Sequence, residues 1–182
     1  MYIQTEITPN PNSIKFIPGK TVSSSGSFEI TNKKEINNEL VRNILSVNGV
    51  KGIFLGADFL SVNKEDKTNW EDIKHIIISF INDYYSTGKE FVVSGDIKNF
   101  NNNDTNLIDI EKQIIKILDT KIRPAVARDG GDIKFQGFKD GIVKVQLQGS
   151  CSGCPSSKMT LKQGVQNLLC HYIPEVKEVE AI

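Results

Sequence analysis

Val143-Lys144-Val145-Gln146-Leu147-Gln148-Gly149-Ser150-Cys151-Ser152-Gly153-Cys154-Pro155 is the stretch on which the reading of this chain turns. Its first half alternates apolar and polar side chains with the period of a half-buried strand. Gly149 then lets the backbone turn, and Gly153 leaves no side chain between two thiols held three residues apart. Pro155 suits the first turn of a helix, and an apolar pattern follows at Leu161, Val165, Leu168, Leu169 and Tyr172. The segment predicts a strand, a thiol-bearing loop and a helix in direct succession. Cys154 falls at the helix N-terminus, where the macrodipole favours thiolate over thiol.

The chain contains three cysteines, an odd number that argues against a disulfide framework. A tetrahedral zinc site or an iron–sulfur cluster is normally held by four protein ligands, so Cys151 and Cys154 supply half a set. Two copies of the chain would complete it across a symmetric interface. Two other readings of the pair stand beside this one. A thiol–disulfide oxidoreductase would use Cys151 as nucleophile and Cys154 as resolving thiol. A zinc-bridged dimer would use the same ligands for structure alone.

Outward from the loop, Asp140-Gly141 is a hairpin signal between the strand at 142–148 and an alternating segment around Ile133 and Phe135. Gly130-Gly131 reads as a tight turn supporting the cysteine loop, and Asp129, Asp132 and Asp140 as turn and surface groups. Leu107, Ile110, Ile114, Ile117 and Leu118 mark one face of a helix that Arg123-Pro124 should end or bend. A final strand is expected at 176–181. Cys170 lies about 24 Å from Cys154 along a continuous helix, too far for one site within one copy, and is read as an incidental thiol facing away from the apolar stripe. His75 and His171, each lacking a second ligand at useful spacing, are read as surface or boundary residues.

The N-terminal part has its own pattern. Strand-like segments at 2–7 and 13–17 flank Pro9-Asn10-Pro11-Asn12, a short strand is expected near Phe28-Glu29-Ile30, and a helix over 35–46. Val50–Leu55 and Phe59–Asn63 form a hairpin around Gly56-Ala57-Asp58, and a long amphipathic helix carries Trp70, Ile73, Ile76, Ile77, Phe80, Ile81 and Tyr84 to Gly88. Between the halves, 99–106 holds five asparagines and one aspartate, too polar to form a core, with a short strand expected at Phe91–Val93. The division is therefore 1–88, a linker over 89–106, and 107–182. The predicted class is α+β, as two small domains joined by a polar flexible linker and independent of one another.

With 22 Lys+Arg against 22 Asp+Glu, no general attraction to nucleic acid or an anionic membrane is expected. No apolar run reaches a membrane span, and no leader is evident at Met1. The expected compartment is the cytoplasm, or the mitochondrial matrix for a processed eukaryotic chain.

Asp129-Gly130-Gly131-Asp132-Ile133, Asp140-Gly141-Ile142-Val143, Gly149 to Ser157 and Thr160-Leu161-Lys162 closely resemble the C-terminal domain of the NifU family. Thr8 to Gly19 and Gly49 to Phe54 resemble the N-terminal domain of its Nfu-type members. The resemblance implies a non-enzymatic iron–sulfur scaffold or carrier. In it, Cys151 and Cys154 of two protomers would hold a [4Fe-4S] cluster, with zinc as a conceivable substitute for iron. The implied partners are upstream cluster assembly proteins, apo iron–sulfur clients and, when loaded, a second copy. The N-terminal domain would recognise partners or stabilise the chain.

Overall fold

A computed structural model describes residues 2–90, 92, 93, 108–153 and 155–182, with the backbone alone at 155–157. The predicted 99–106 linker, Phe91 and Cys154 lie outside the described residues. The chain forms two α+β domains, each with its own apolar core.

In the N-terminal domain β1 (Gln4–Ile7), β2 (Ser13–Ile17), β5 (Leu60–Lys64), β4 (Val50–Leu55) and β3 (Phe28–Ile30) form a five-stranded sheet in that spatial order. All its pairings are antiparallel. Ile14, Phe16, Ile30, Ile53, Leu55, Leu60 and Val62 belong to one core with Leu40, Val41 and Ile44 of α1 (Glu39–Ile44) and Ile73, Ile77 and Ile81 of α2 (Trp70–Ser86). Ile77 and Ile81 are fully buried, each worth about 2 to 3 kcal/mol of apolar transfer. Helix α1 is shorter than the expected 35–46. Asn38 is the reason: its Oδ1 accepts from Val41 N at 3.2 Å, and its amide donates to Tyr84 Oη and Val92 O. The cap is thereby fixed at 38. Instead of the expected strand, Val93 makes a single parallel bridge to Ser23.

The C-terminal domain opens with α3 (Asp109–Ile117), which runs through a π-helical turn (Leu118–Ile122) into α4 (Arg123–Arg128). The expected break at Pro124 is thus a change of helical pitch, which accommodates a residue with no N–H to donate. β6 (Gly131–Lys139) and β7 (Ile142–Gly149) form a hairpin whose turn residues Asp140 and Gly141 both have positive φ, 54° and 85°. That is the two-residue geometry the Asp-Gly pair suits. After the cysteine loop, α5 (Pro155–Tyr172) crosses over so that β8 (Glu178–Ala181) lies parallel to β7.

The buried stripe of α5 is Val165, Leu169 and Ile173, at 2%, 0% and 1% exposure. Tyr172, predicted on that stripe, is 48% exposed and stands under the Lys121 ammonium instead. Cys170, predicted to face away, is half-buried and packs against the C-terminal core.

Candidate metal centre

The loop Ser150–Gly153 leaves β7 where Gly149, at φ 71°, turns the backbone. A Cβ at Gly149 would sit 2.6 Å from Gly130 O and 3.0 Å from Phe54 Cγ, so only glycine fits. Gly131 pairs with Gly149 across the hairpin, and a Cβ there would lie 2.9 Å from Cys151 Sγ. The glycine pair predicted to support the loop thus does so in two ways: Gly130 at φ 80° accepts from Ser150 N at 3.2 Å, and Gly131 leaves room for the thiol. Cys151 is 6% exposed. Ser150 Oγ lies 3.9 Å from its sulfur and also donates to Asp129 O.

A pocket of about 530 Å³ opens beside Cys151, between Pro9 and Asn10 on one side and Ile122, Val126, Leu161 and Val165 on the other. Its walls come from both domains.

That shared lining contradicts the expected independence of the two units. The loop is bound from the N-terminal side along its length. Asn10 Nδ2 donates to Ser150 O at 3.0 Å, Asn63 Nδ2 to Gly149 O at 3.3 Å, and Ser61 Oγ to Gly130 O at 2.8 Å. Glu29 Oε1 accepts from Gly149 N at 3.3 Å and from Ser152 Oγ at 3.0 Å. Desolvation holds the Glu29 carboxyl above its ordinary range, against the opposing effect of the Ser152 and Gly149 bonds and of Lys158 and Lys134.

Asp132, predicted as a surface group, is 6% exposed. Its oxygens accept from Arg123 Nε and Nη2, both at 2.8 Å, and from Ser27 Oγ of the other domain. Burial alone would raise its pKa, but the Arg123 and Ser27 hydrogen bonds and the guanidinium charge hold it below the ordinary carboxylate value. Arg123 lies nine residues before Asp132, and that spacing gave no sign that the two would meet.

His75 and His171 are exposed, His75 Nδ1 lying 3.2 Å from Glu71 O and His171 packing on Tyr172. Among the described residues no cluster of three or more potential metal ligands occurs. None of their helices is long and apolar enough to cross a membrane.

Residues 3–88 match the family described as scaffold protein Nfu/NifU N terminal, and 114–180 match the NifU-like domain. The human protein named NFU1 iron-sulfur cluster scaffold homolog, mitochondrial, is 43% identical over 188 positions, covering 100% of this chain and 72% of its own length. NifU-like protein 4, mitochondrial, of Arabidopsis thaliana is 42% identical over 187 positions, covering 99% of this chain. This chain spans 65% of that relative's length. A NifU-like protein of Saccharomyces cerevisiae, solved in solution, is 34% identical with a TM-score of 0.48, covering 53% of this chain and 87% of its own. With both halves matched in order and a relative 43% identical across the whole of this chain, the chain belongs to the NifU family, in its Nfu-type two-domain form.

Proposed function

We propose that the protein is a non-enzymatic iron–sulfur scaffold and carrier, whose cargo is a [4Fe-4S] cluster held by Cys151 and Cys154 of two copies. The observation that carries this reading is the loop between β7 and α5, shaped by Gly131 and Gly149 so that the Cys151 sulfur fits against the hairpin without a competing side chain. Relatives named as iron–sulfur cluster scaffold homologs support the cargo, and their naming as mitochondrial goes with the matrix as compartment. Two thiolates per copy make half of a cubane's ligand set, and a second copy brings the rest. Delivery then proceeds by exchange of each thiolate for a cysteine of an apo client, with upstream assembly proteins as the source.

The test is anaerobic reconstitution with iron and sulfide, followed by iron and sulfide analysis and light scattering. The reading expects about four irons per dimer. Cys151→Ala and Cys154→Ala should each lose the cluster, and Cys170→Ala should load normally. A full cluster on a monomer, or iron retained by either of the first two variants, would remove the shared-ligand assignment.

A further inference from the structure

The outer face of the N-terminal sheet is polar in sequence, yet it is covered. The strand registers place Glu6, Lys15, Ser61, Phe54 and Glu29 in one cross-strand row over β1, β2, β5, β4 and β3. Their neighbours in sequence, such as Phe16, Val62 and Ile53, face the helices on the other side. A row of this composition at a free surface would stay hydrated. Here Ser61 and Phe54 are 0% and 1% exposed and Lys15 only 9%.

What covers them is the region around the cysteine loop. Lys15 Nζ donates at 3.1 Å to Ala127 O, which also accepts from Gly130 N, so a cation stands at the negative C-terminal end of α4. Ser61 meets Gly130, Phe54 lies against Gly149, and Glu29 holds Gly149 and Ser152. The Pro-Asn loop completes the set. Thr8 Oγ1 lies within 3.0 Å of both Asn10 O and Ser13 O, and Asn10 Oδ1 accepts from Asn12 N at 2.9 Å. This fixes Asn10 with its amide on Ser150 O, 3.1 Å from where a Cβ of Gly153 would stand.

We propose that the outer face of the N-terminal sheet is a docking surface for the chain's own cysteine loop, and that docking and the sharing of a cluster with a second copy exclude each other. Gly149, Ser150 and Ser152 are all bonded from the N-terminal side, and Asn10 Nδ2 fills the space a side chain at 153 would take, whereas a two-fold shared centre needs the same patch of each copy turned toward its partner. The docked chain is the masked form, and the sheet must lift away before a second loop can approach. This rests on the scaffold reading above for its consequence, though not for the docking itself.

The experiment uses the full chain with Cys154→Ala and Cys170→Ala, leaving Cys151 as the one thiol, and follows its alkylation by iodoacetamide. Ser61→Arg forces a long cation against Gly130, and Glu29→Lys sets a cation against Lys134 and Lys158. Both sites lie on the outer face, away from the N-terminal core, and circular dichroism checks the fold of each. Masking expects alkylation about tenfold faster in either variant, equivalent to roughly 1.4 kcal/mol of docking lost. Rates within twofold of the parent in a folded variant overturn the proposal. Should Ser61→Arg not fold, Glu29→Lys decides alone.

With the natural cysteines restored, the same substitutions should speed cluster loading and dimer formation. Faster alkylation with no cluster in any variant would sink the scaffold reading and leave the docking surface standing. Normal loading with unchanged alkylation would do the reverse.

Discussion

The Ser152 hydroxyl, between the two cysteines in sequence, donates at 3.0 Å to Glu29 Oε1 of the other domain. It also lies 2.8 Å from Gly149 O, where the loop begins. One hydroxyl therefore helps close the loop on itself and tie it to β3. Because Glu29 also takes the Gly149 N–H, removing its carboxylate would leave that donor at a half-buried contact without its acceptor, while the Ser152 hydroxyl keeps Gly149 O. Such groups cost more when orphaned than the bond contributes when formed.

The raised pKa of Glu29 gives the docked state a defined pH response. The folded, docked chain holds the proton more tightly than the unfolded chain, whose carboxyl has the ordinary value of 4.5. This contribution is fully present below that value and is lost as pH rises through the docked one. Lys134 and Lys158 face the same carboxyl and limit the loss by favouring its ionised form. Thermal melts of parent and Glu29→Gln should converge or cross as pH falls from 7 toward 4.5, the parent gaining relative to the variant. Parallel melting curves across that range would remove Glu29 as the titrating contact.

Much of this arrangement was written in local signals. Asp140-Gly141 specified its turn because few other pairs accept two positive φ values in succession, and Pro155 marked the start of α5. The docking face was not legible, because Lys15, Ser61, Asn63 and Glu29 alternate with apolar residues as any solvent-facing side of a sheet would. One signal was present. Ile53-Phe54-Leu55 is apolar on both sides of the pleat, as expected of a strand covered on both faces. Asp132 hid for the same reason as Lys15: its partners, Arg123 and Ser27, are assembled only by the tertiary fold.

The hairpin glycines should rank by what their missing side chains would strike. Gly149→Ala combines φ 71° with contacts of 2.6 Å to backbone and 3.0 Å to Phe54, and Gly130→Ala combines φ 80° with 2.7 Å to Ser61 Oγ. Each should cost about 2 kcal/mol or more in urea unfolding. Gly137→Ala meets nothing within 4 Å and has no positive φ, so its cost should stay within about 0.5 kcal/mol. Equal costs at all three would show that the close approach of β6 to β7 and the sheet is not maintained in solution.

Asp132→Asn should destabilise the chain and loosen the domain contact together. The carboxylate is buried while Arg123 is 40% exposed, so the loss should reach only about 1 to 3 kcal/mol, below that of a fully buried broken pair. Because Asp132 is held below its ordinary pKa of 3.8, its stabilising contribution is present above that value and disappears as pH falls through the depressed one. Acid titration of the parent should therefore show a low-pH loss of stability that the variant lacks. An identical acid limb in both proteins would assign that loss to other carboxyls.

A fragment of residues 107–182 separates the two roles of the N-terminal domain. Its core of Ile114, Leu118, Val126, Ile133, Val143, Val145, Leu169 and Val179 is complete without any residue of the other half, so the fragment should fold cooperatively. It should melt below the full chain, because Lys15 no longer meets the end of α4 and Ser61 no longer meets Gly130. Freed of the docking face, it should load a cluster faster than the full chain under the same anaerobic reconstitution. Its delivery to an apo client should nevertheless slow if the N-terminal domain also recognises clients. Rates of client activation, with fragment and full chain carrying equal iron, measure that second role. A fragment that folds yet loads more slowly would make the N-terminal domain an aid to cluster capture and would reverse the masking assignment.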